Sequence, residues 1–194
     1  MDARQARTRA RLHAAVLTEA RTTPVGELSV TALARAAGVH RSTFYEHAAS
    51  PGDLLRQALL DELDELRADL LGSPEGDTDE AVAEATRRVL EHVRRHAPIY
   101  RRGLGPDSGP GSLEGLLGDH FLESSRELFR AGRLHLSLHV AGVDDDAVAD
   151  VAARFVSRAT VGAIQGWLEL PGELDVDVFE RLYDALLPSW WVQR

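Results

Sequence analysis

The chain has 194 residues, 31 acidic and 22 basic, for a formal net charge of −9. It contains no cysteine, which excludes disulfides, thiolate metal sites and cysteine nucleophiles. There is no run of about 18 apolar residues, and the arginine-rich N-terminus has no apolar signal segment, so a cytoplasmic protein without membrane contact is expected. The charge is unevenly spread. Residues 1–50 carry seven arginines against four acids, and residues 51–194 carry fifteen against twenty-seven. A basic end on an acidic body suits a nucleic-acid binder whose body repels DNA and confines contact to one face.

Residues 1–21 read as an amphipathic helix, with Leu12, Ala15, Val16 and Ala20 as its apolar stripe. Arg4, Arg7 and Arg11 share another face, either as a solvated surface or as a basic arm near phosphates. Pro24 and Gly26 mark a loop. Ser29 is placed to N-cap a short helix reaching about Ala37, with Leu33, Ala36 and Ala37 on one face. Gly38 supplies the backbone conformation for a sharp stop. A second short helix over residues 41–47 turns Phe44 inward and leaves Arg41, Ser42, Thr43, Tyr45 and His47 for other faces. Short helix, glycine turn and short polar helix is the helix-turn-helix pattern, whose second helix enters the DNA major groove.

The run Leu33-Ala34-Arg35-Ala36-Ala37-Gly38-Val39, followed by His40-Arg41-Ser42-Thr43-Phe44-Tyr45-Glu46-His47, closely resembles the DNA-binding segment of the TetR (tetracycline repressor) family of bacterial regulators. The resemblance covers about the first 55 residues; the remainder is similar only in size and helical character. It implies an all-α fold, with a three-helix DNA-binding head (residues 1–50) continuing into a larger helical effector-binding and dimerisation body (residues 51–194). Arg41 is the residue suited to bidentate contact with guanine. Ser42 and Thr43 are short enough to let the helix approach and bond bases or phosphates. The resemblance places Tyr45 and His47 against the DNA backbone or thymine methyls, with packing and capping of the helix end as the alternative. His40 and Arg4 complete the expected DNA contacts, together with Val30 and Thr31 at a helix N-terminus whose free N–H groups suit a phosphate. Where many members carry a lysine, this chain reads Ser50-Pro51-Gly52-Asp53. That is a well-specified helix start without the basic contact.

A long helix over residues 51–71 follows, with Leu55, Leu59, Leu63, Leu66 and Leu70 at helical spacing. Residues 72–77 break it. The next helix spans residues 78–96, with Val82, Ala85, Val89 and Val93 facing inward and Pro98 ending it. His92 and His96 stand one turn apart and could share a metal with a third ligand such as His120. Without the H-E-x-x-H arrangement, ordinary core or surface histidines are the simpler account, and no metal is expected. Residues 103–112, with four glycines and two prolines, form a loop, either plain surface or a gate over a cavity. A helix over residues 113–130 comes next. Residues 133–140 alternate like a strand but have no partner strand, so they read as an extended connection or helix end. Asp144, Asp145 and Asp146 open a helix to about Leu170, and a last helix spans residues 175–191.

The last two helices are apolar over more than a narrow stripe and need burial on more than one side. Their positions match the four-helix dimer interface that the resemblance implies. The interface residues expected are Phe155, Ala159, Gly162, Ala163, Gly166, Leu182, Leu186 and Trp190, with an ordinary monomeric core as the alternative. No phosphate loop, dinucleotide fingerprint, nucleophile elbow or zinc motif occurs, so no enzyme activity and no cofactor is expected. The function expected is a homodimeric repressor, released from a near-palindromic operator in double-stranded DNA by a small-molecule effector. Two alternatives stay open: an enzyme or ligand-sequestering protein that retains a helix-turn-helix, and an architectural DNA binder with no effector. A body cavity of roughly 300–1,000 Å³ would favour a ligand. Its expected lining is Val89, His92, Tyr100, His120, Phe121, Phe155 and Trp167.

Overall fold

In the computed structural model, residues 3–72, 78–106, 108–109 and 112–191 are described, without the side chains of residues 78–81. Nine α-helices occur among the described residues, with no strand. They are α1 (Ala3–Glu19), α2 (Val30–Ala36), α3 (Arg41–His47), α4 (Pro51–Gly72), α5 (Thr78–Arg95), α6 (Ala97–Gly103), α7 (Glu114–Arg130), α8 (Asp145–Glu169) and α9 (Val176–Leu186). The chain packs as two units, residues 1–62 with 96–113, and residues 63–95 with 114–194. No helix among the described residues is long and apolar enough to cross a membrane.

In the first unit the expected helix-end devices are present, and of the apolar face expected on the first short helix Leu33 and Ala37 are buried whereas Ala36 is exposed. The Ser29 Oγ accepts from the Ala32 N–H at 3.0 Å and starts α2. The Val39 N–H bonds the Ala34 carbonyl and the Gly38 N–H that of Arg35, a Schellman stop that requires the positive φ of +61° at Gly38. Leu12, Val16, Leu33 and Phe44 are fully buried and hold the first three helices together. His13 Nδ1 lies 3.3 Å from Asp61 on α4, and Arg9 pairs with the same carboxylate. Burial pulls the His13 imidazole below its ordinary pKa, against the opposing attraction of Asp61.

Two expected boundaries are corrected. Pro98 does not merely stop a helix: α5 ends at Arg95, and Pro98 stands in the first turn of α6, where a missing N–H has no intrahelical acceptor to lose. The last helix ends at Leu186 instead of Trp191, because Pro188 forces Leu187 into an extended conformation (φ −65°, ψ 132°). Trp190 therefore lies in a turn beyond α9. The alternating residues 133–140 form an extended connection. Leu134 and Leu136 pack on a cluster with Trp190 and Trp191, and the Ser137 N–H bonds the Trp190 carbonyl at 3.1 Å.

The loop after α6 is closed at its base. The Leu113 N–H bonds the Gly103 carbonyl at 2.7 Å, and a Cβ on Gly103 would sit 2.5 Å from the Leu113 side chain. The breaker expected over residues 72–77 falls at residues 73–77 outside the described residues, as do 107, 110 and 111 of the expected gate.

In the second unit α7 packs along α8, and α9 lies against both α5 and α8. Asp144 caps α8 through the N–H groups of Asp146 and Ala147. Arg87 of α5 reaches Asp177 and Glu180 of α9 at 2.7 and 2.6 Å.

Candidate nucleic-acid interface and effector cavity

The turn at Gly38 sets α3 so that Phe44 is buried and the rest of the helix faces outward. Arg41 and Ser42 are exposed, Tyr45 is 50% exposed, and Thr43 and His47 are half-buried. Arg41 and Tyr45 form a pair one turn apart. The guanidinium donates to the Tyr45 hydroxyl at 3.1 Å and lies 5.6 Å from its ring centroid. A planar donor fork is thus held on the exposed face by an aromatic shelf. His40 precedes α3 and makes no side-chain cap hydrogen bond. Thr31 is exposed and Val30 half-buried at the start of α2; Arg4 is exposed on α1.

Two side chains turn out to serve the turn itself. Arg11, which shares a face with Arg4 and Arg7 in sequence, donates to the Gly38 carbonyl at 2.9 Å. Asp53 is not a loose acid beside α3. Its carboxylate accepts from the Ala49 N–H at 2.9 Å and from Gln57 at 3.2 Å, while Ser50 Oγ accepts from the Asp53 N–H at 3.1 Å. Gln57 also donates to the His47 carbonyl, fastening the end of α3 to α4. The sequence signal for both was present: a capping box at residues 50–53, and an arginine opposite a glycine turn.

The second unit contains a cavity of about 160 Å³, lined chiefly by apolar side chains of α4, α5, α7, α8 and α9. It is smaller than the roughly 300–1,000 Å³ of a drug-sized pocket. Of the seven lining residues expected, Val89, His120 and Phe121 line it. Tyr100 belongs to the first unit, where its burial is complete. His92 is buried elsewhere in the second unit. Phe155 points outward at 58% exposure, and Trp167 packs on Phe179 with ring centroids 4.9 Å apart. The expected grouping is corrected accordingly.

His120, which the sequence singles out, and several residues that it does not single out supply the polar wall. His120 Nδ1 lies 3.3 Å from Asp64, and burial, aided by Arg67, pulls its pKa down to about 4 against the attraction of Asp64. Arg67 is itself held by Asp64 and Glu127 at 2.9 and 3.2 Å. Ser124, Ser125 and Thr86 turn their hydroxyls back onto carbonyls one turn earlier in their own helices. Thr160 bonds the Val156 carbonyl at 2.8 Å and the Tyr183 hydroxyl at 2.6 Å. Ser157 Oγ, buried and on the lining, has no hydrogen-bond partner among the described residues. The available signal was Ser157 and Thr160, three apart on an otherwise apolar helix face.

The expected interface residues sit on the other face of α8 and on α9. Phe155, Ala159, Gly162, Gly166, Leu182 and Leu186 are exposed, and Ala163 and Trp190 are half-buried. A Cβ on Gly162 or Gly166 would meet nothing within 4 Å. Trp190, off the helix, leans on Phe155 with centroids 6.2 Å apart.

A capped helix, a glycine turn and an outward-facing short helix in one unit, with a cavity among the helices of the other, make the fold of TetR-family transcriptional regulators. No family model and no curated protein matches the sequence. Solved structures match it along nearly its whole length. The chain is similar to the dihydroxyacetone kinase operon activator DhaS, with 12% identity, 95% of this chain and 98% of that one covered, and a TM-score of 0.64. It is also similar to Thermus thermophilus FadR, a TetR-family repressor in complex with lauroyl-CoA (21% identity, 96% of each chain, TM-score 0.60). A third is RolR in complex with resorcinol (18% identity, 96% of this chain and 90% of that one, TM-score 0.55). At these identities the likeness is one of fold.

Proposed function

We propose that the protein is a sequence-specific DNA-binding transcriptional regulator, a repressor that leaves its operator when a small molecule binds the body. Residues 1–50 are the reading head, and residues 51–194 bind effector and dimerise. The observation that carries this reading is the exposed Arg41–Tyr45 pair on a helix fixed by the Gly38 turn. Arg41 reads guanine, Ser42, Thr43, Tyr45 and His47 follow the groove, and Arg4, Val30, Thr31 and His40 lie toward phosphates. The basic balance of residues 1–50 supports the assignment.

Homodimerisation through α8 and α9 is supported by their unburied apolar faces. Val151, Phe155, Val178, Leu182 and Leu186 are all exposed, a patch that isolated chains seldom leave to water. A two-fold dimer places two reading helices one turn of DNA apart, about 34–36 Å, and calls for a near-palindromic operator. The cavity is the effector site, and an effector shifts the equilibrium only by its preference for the form that does not bind DNA. Named neighbours bind ligands as different as lauroyl-CoA and resorcinol; the cavity volume here favours a compact ligand. The test is gel retardation of the DNA upstream of the protein's own gene. Retardation of that fragment, and not of unrelated DNA, supports the reading; a dimer that retards neither overturns it.

A further inference from the structure

We propose that the ligand of this cavity is a neutral molecule of about one ring in size, carrying a hydroxyl that meets Ser157 and Tyr183; phenol is the simplest member of the class. This rests on the reading of the cavity as the effector site. The size comes from the volume: about 160 Å³ matches the roughly 150 Å³ apolar cavity that holds one benzene.

Neutrality comes from the charges that reach the cavity. Arg67 is matched by two carboxylates, Asp64 and Glu127, so an incoming anion finds no unspent positive charge. The carboxylates are themselves engaged, both by Arg67 and Asp64 also by His120. His120, bound to Asp64, adds no charge in the neutral range. A charged ligand would thus lose its hydration without a partner to replace it.

The hydroxyl comes from the hydrogen-bond inventory. Thr160 has one proton, which it gives to the Val156 carbonyl. The 2.6 Å contact with Tyr183 is therefore made by the tyrosine proton, leaving the Tyr183 oxygen as an acceptor. Ser157 Oγ, three residues before Thr160 on the same helix face, retains both a donor and acceptor positions. A ligand hydroxyl can give its proton to one and accept from the other. Such a group satisfies Ser157, whose burial without a partner is otherwise a standing cost.

The experiment is calorimetric titration of the full chain with phenol, toluene, benzoate and benzylammonium, with DNA retardation run in parallel. Phenol is expected to bind once per chain, toluene about tenfold more weakly, the weight of one hydrogen bond, and the two ions not measurably. Ser157→Ala removes an unpartnered hydroxyl and should fold normally; it is expected to reduce the preference for phenol over toluene, with Tyr183 still accepting the phenol proton, while leaving toluene unchanged. Ala85→Leu, which fills the lining, should block both. Phenol failing to bind a folded chain, an ion binding as well as phenol, or Ser157→Ala keeping the full preference would each overturn the proposal. Phenol binding without any effect on DNA retardation would uphold the ligand class and overturn the regulatory reading on which it draws.

Discussion

Replacing Gly38 by alanine tests how the reading helix is held. Gly38 has φ +61°, and a Cβ there would lie 2.3 Å from an Arg11 guanidinium nitrogen. The left-handed backbone costs an L-residue about 1–2 kcal/mol. Arg11 must also move, giving up its 2.9 Å bond to the Gly38 carbonyl; that bond is exposed and contributes about 0.5 kcal/mol. Alanine restricts the unfolded chain, which returns about 0.4–1 kcal/mol. The net loss is about 0.5–2 kcal/mol. In urea, at a mid-range slope of about 2 kcal/mol per molar, the midpoint of the head's transition falls by roughly 0.3–1 M. In an Arg11→Ala background the same substitution should cost less, since the guanidinium no longer stands in the way. Gly38→Asn should cost less as well, because asparagine tolerates this backbone region. A Gly38→Ala protein as stable as the parent would refute the account of the turn.

Other outcomes follow from single contacts. Ser50→Ala removes the acceptor for the Asp53 N–H and should lower the stability of the first unit by about 1 kcal/mol in denaturant unfolding. His120 is held near pKa 4 in the fold against 6.5 in the unfolded chain. The unfolded chain therefore binds the extra proton between those values. The second unit should lose stability as pH falls from about 6.5 toward 4, and His120→Gln should flatten that dependence in unfolding titrations. Phe155→Glu with Leu186→Arg places charge on the two most exposed aromatic and leucine positions of α8 and α9, at 58% and 61% exposure. Sedimentation at micromolar concentration should show dimers for the parent and folded monomers for the variant.

The head was legible in the sequence because its devices are local. Ser29, Gly38, Phe44 and the box at residues 50–53 each act within one turn of chain, and the structure uses each of them. The cavity was only partly legible because its lining is set by how distant helices meet. Leu59 and Leu66 have the same pattern in sequence, yet Leu59 is solid core and Leu66 faces the cavity. On α8 the excess of apolar residues was evident, but not which side each took: Phe155 faces solvent and Trp167 is buried. Tyr100 falls outside the cavity because Pro98 opens α6, which packs in the first unit, and a proline near a helix end gives no local sign of whether it stops one helix or starts the next. Trp190 lies beyond α9 because Pro188 ends that helix early.

The most direct measurement is the affinity of the parent and of Arg41→Ala for the upstream DNA and for unrelated DNA, each across a salt series. Tight, salt-sensitive binding of the upstream fragment is expected. Arg41→Ala should weaken it by about 1–3 kcal/mol per head while leaving the unrelated DNA nearly unchanged, because a base contact is lost and the phosphate contacts remain. Equal affinity for both fragments, or an Arg41→Ala protein that binds the upstream fragment as well as the parent does, would contradict the assignment of α3 as the reading helix.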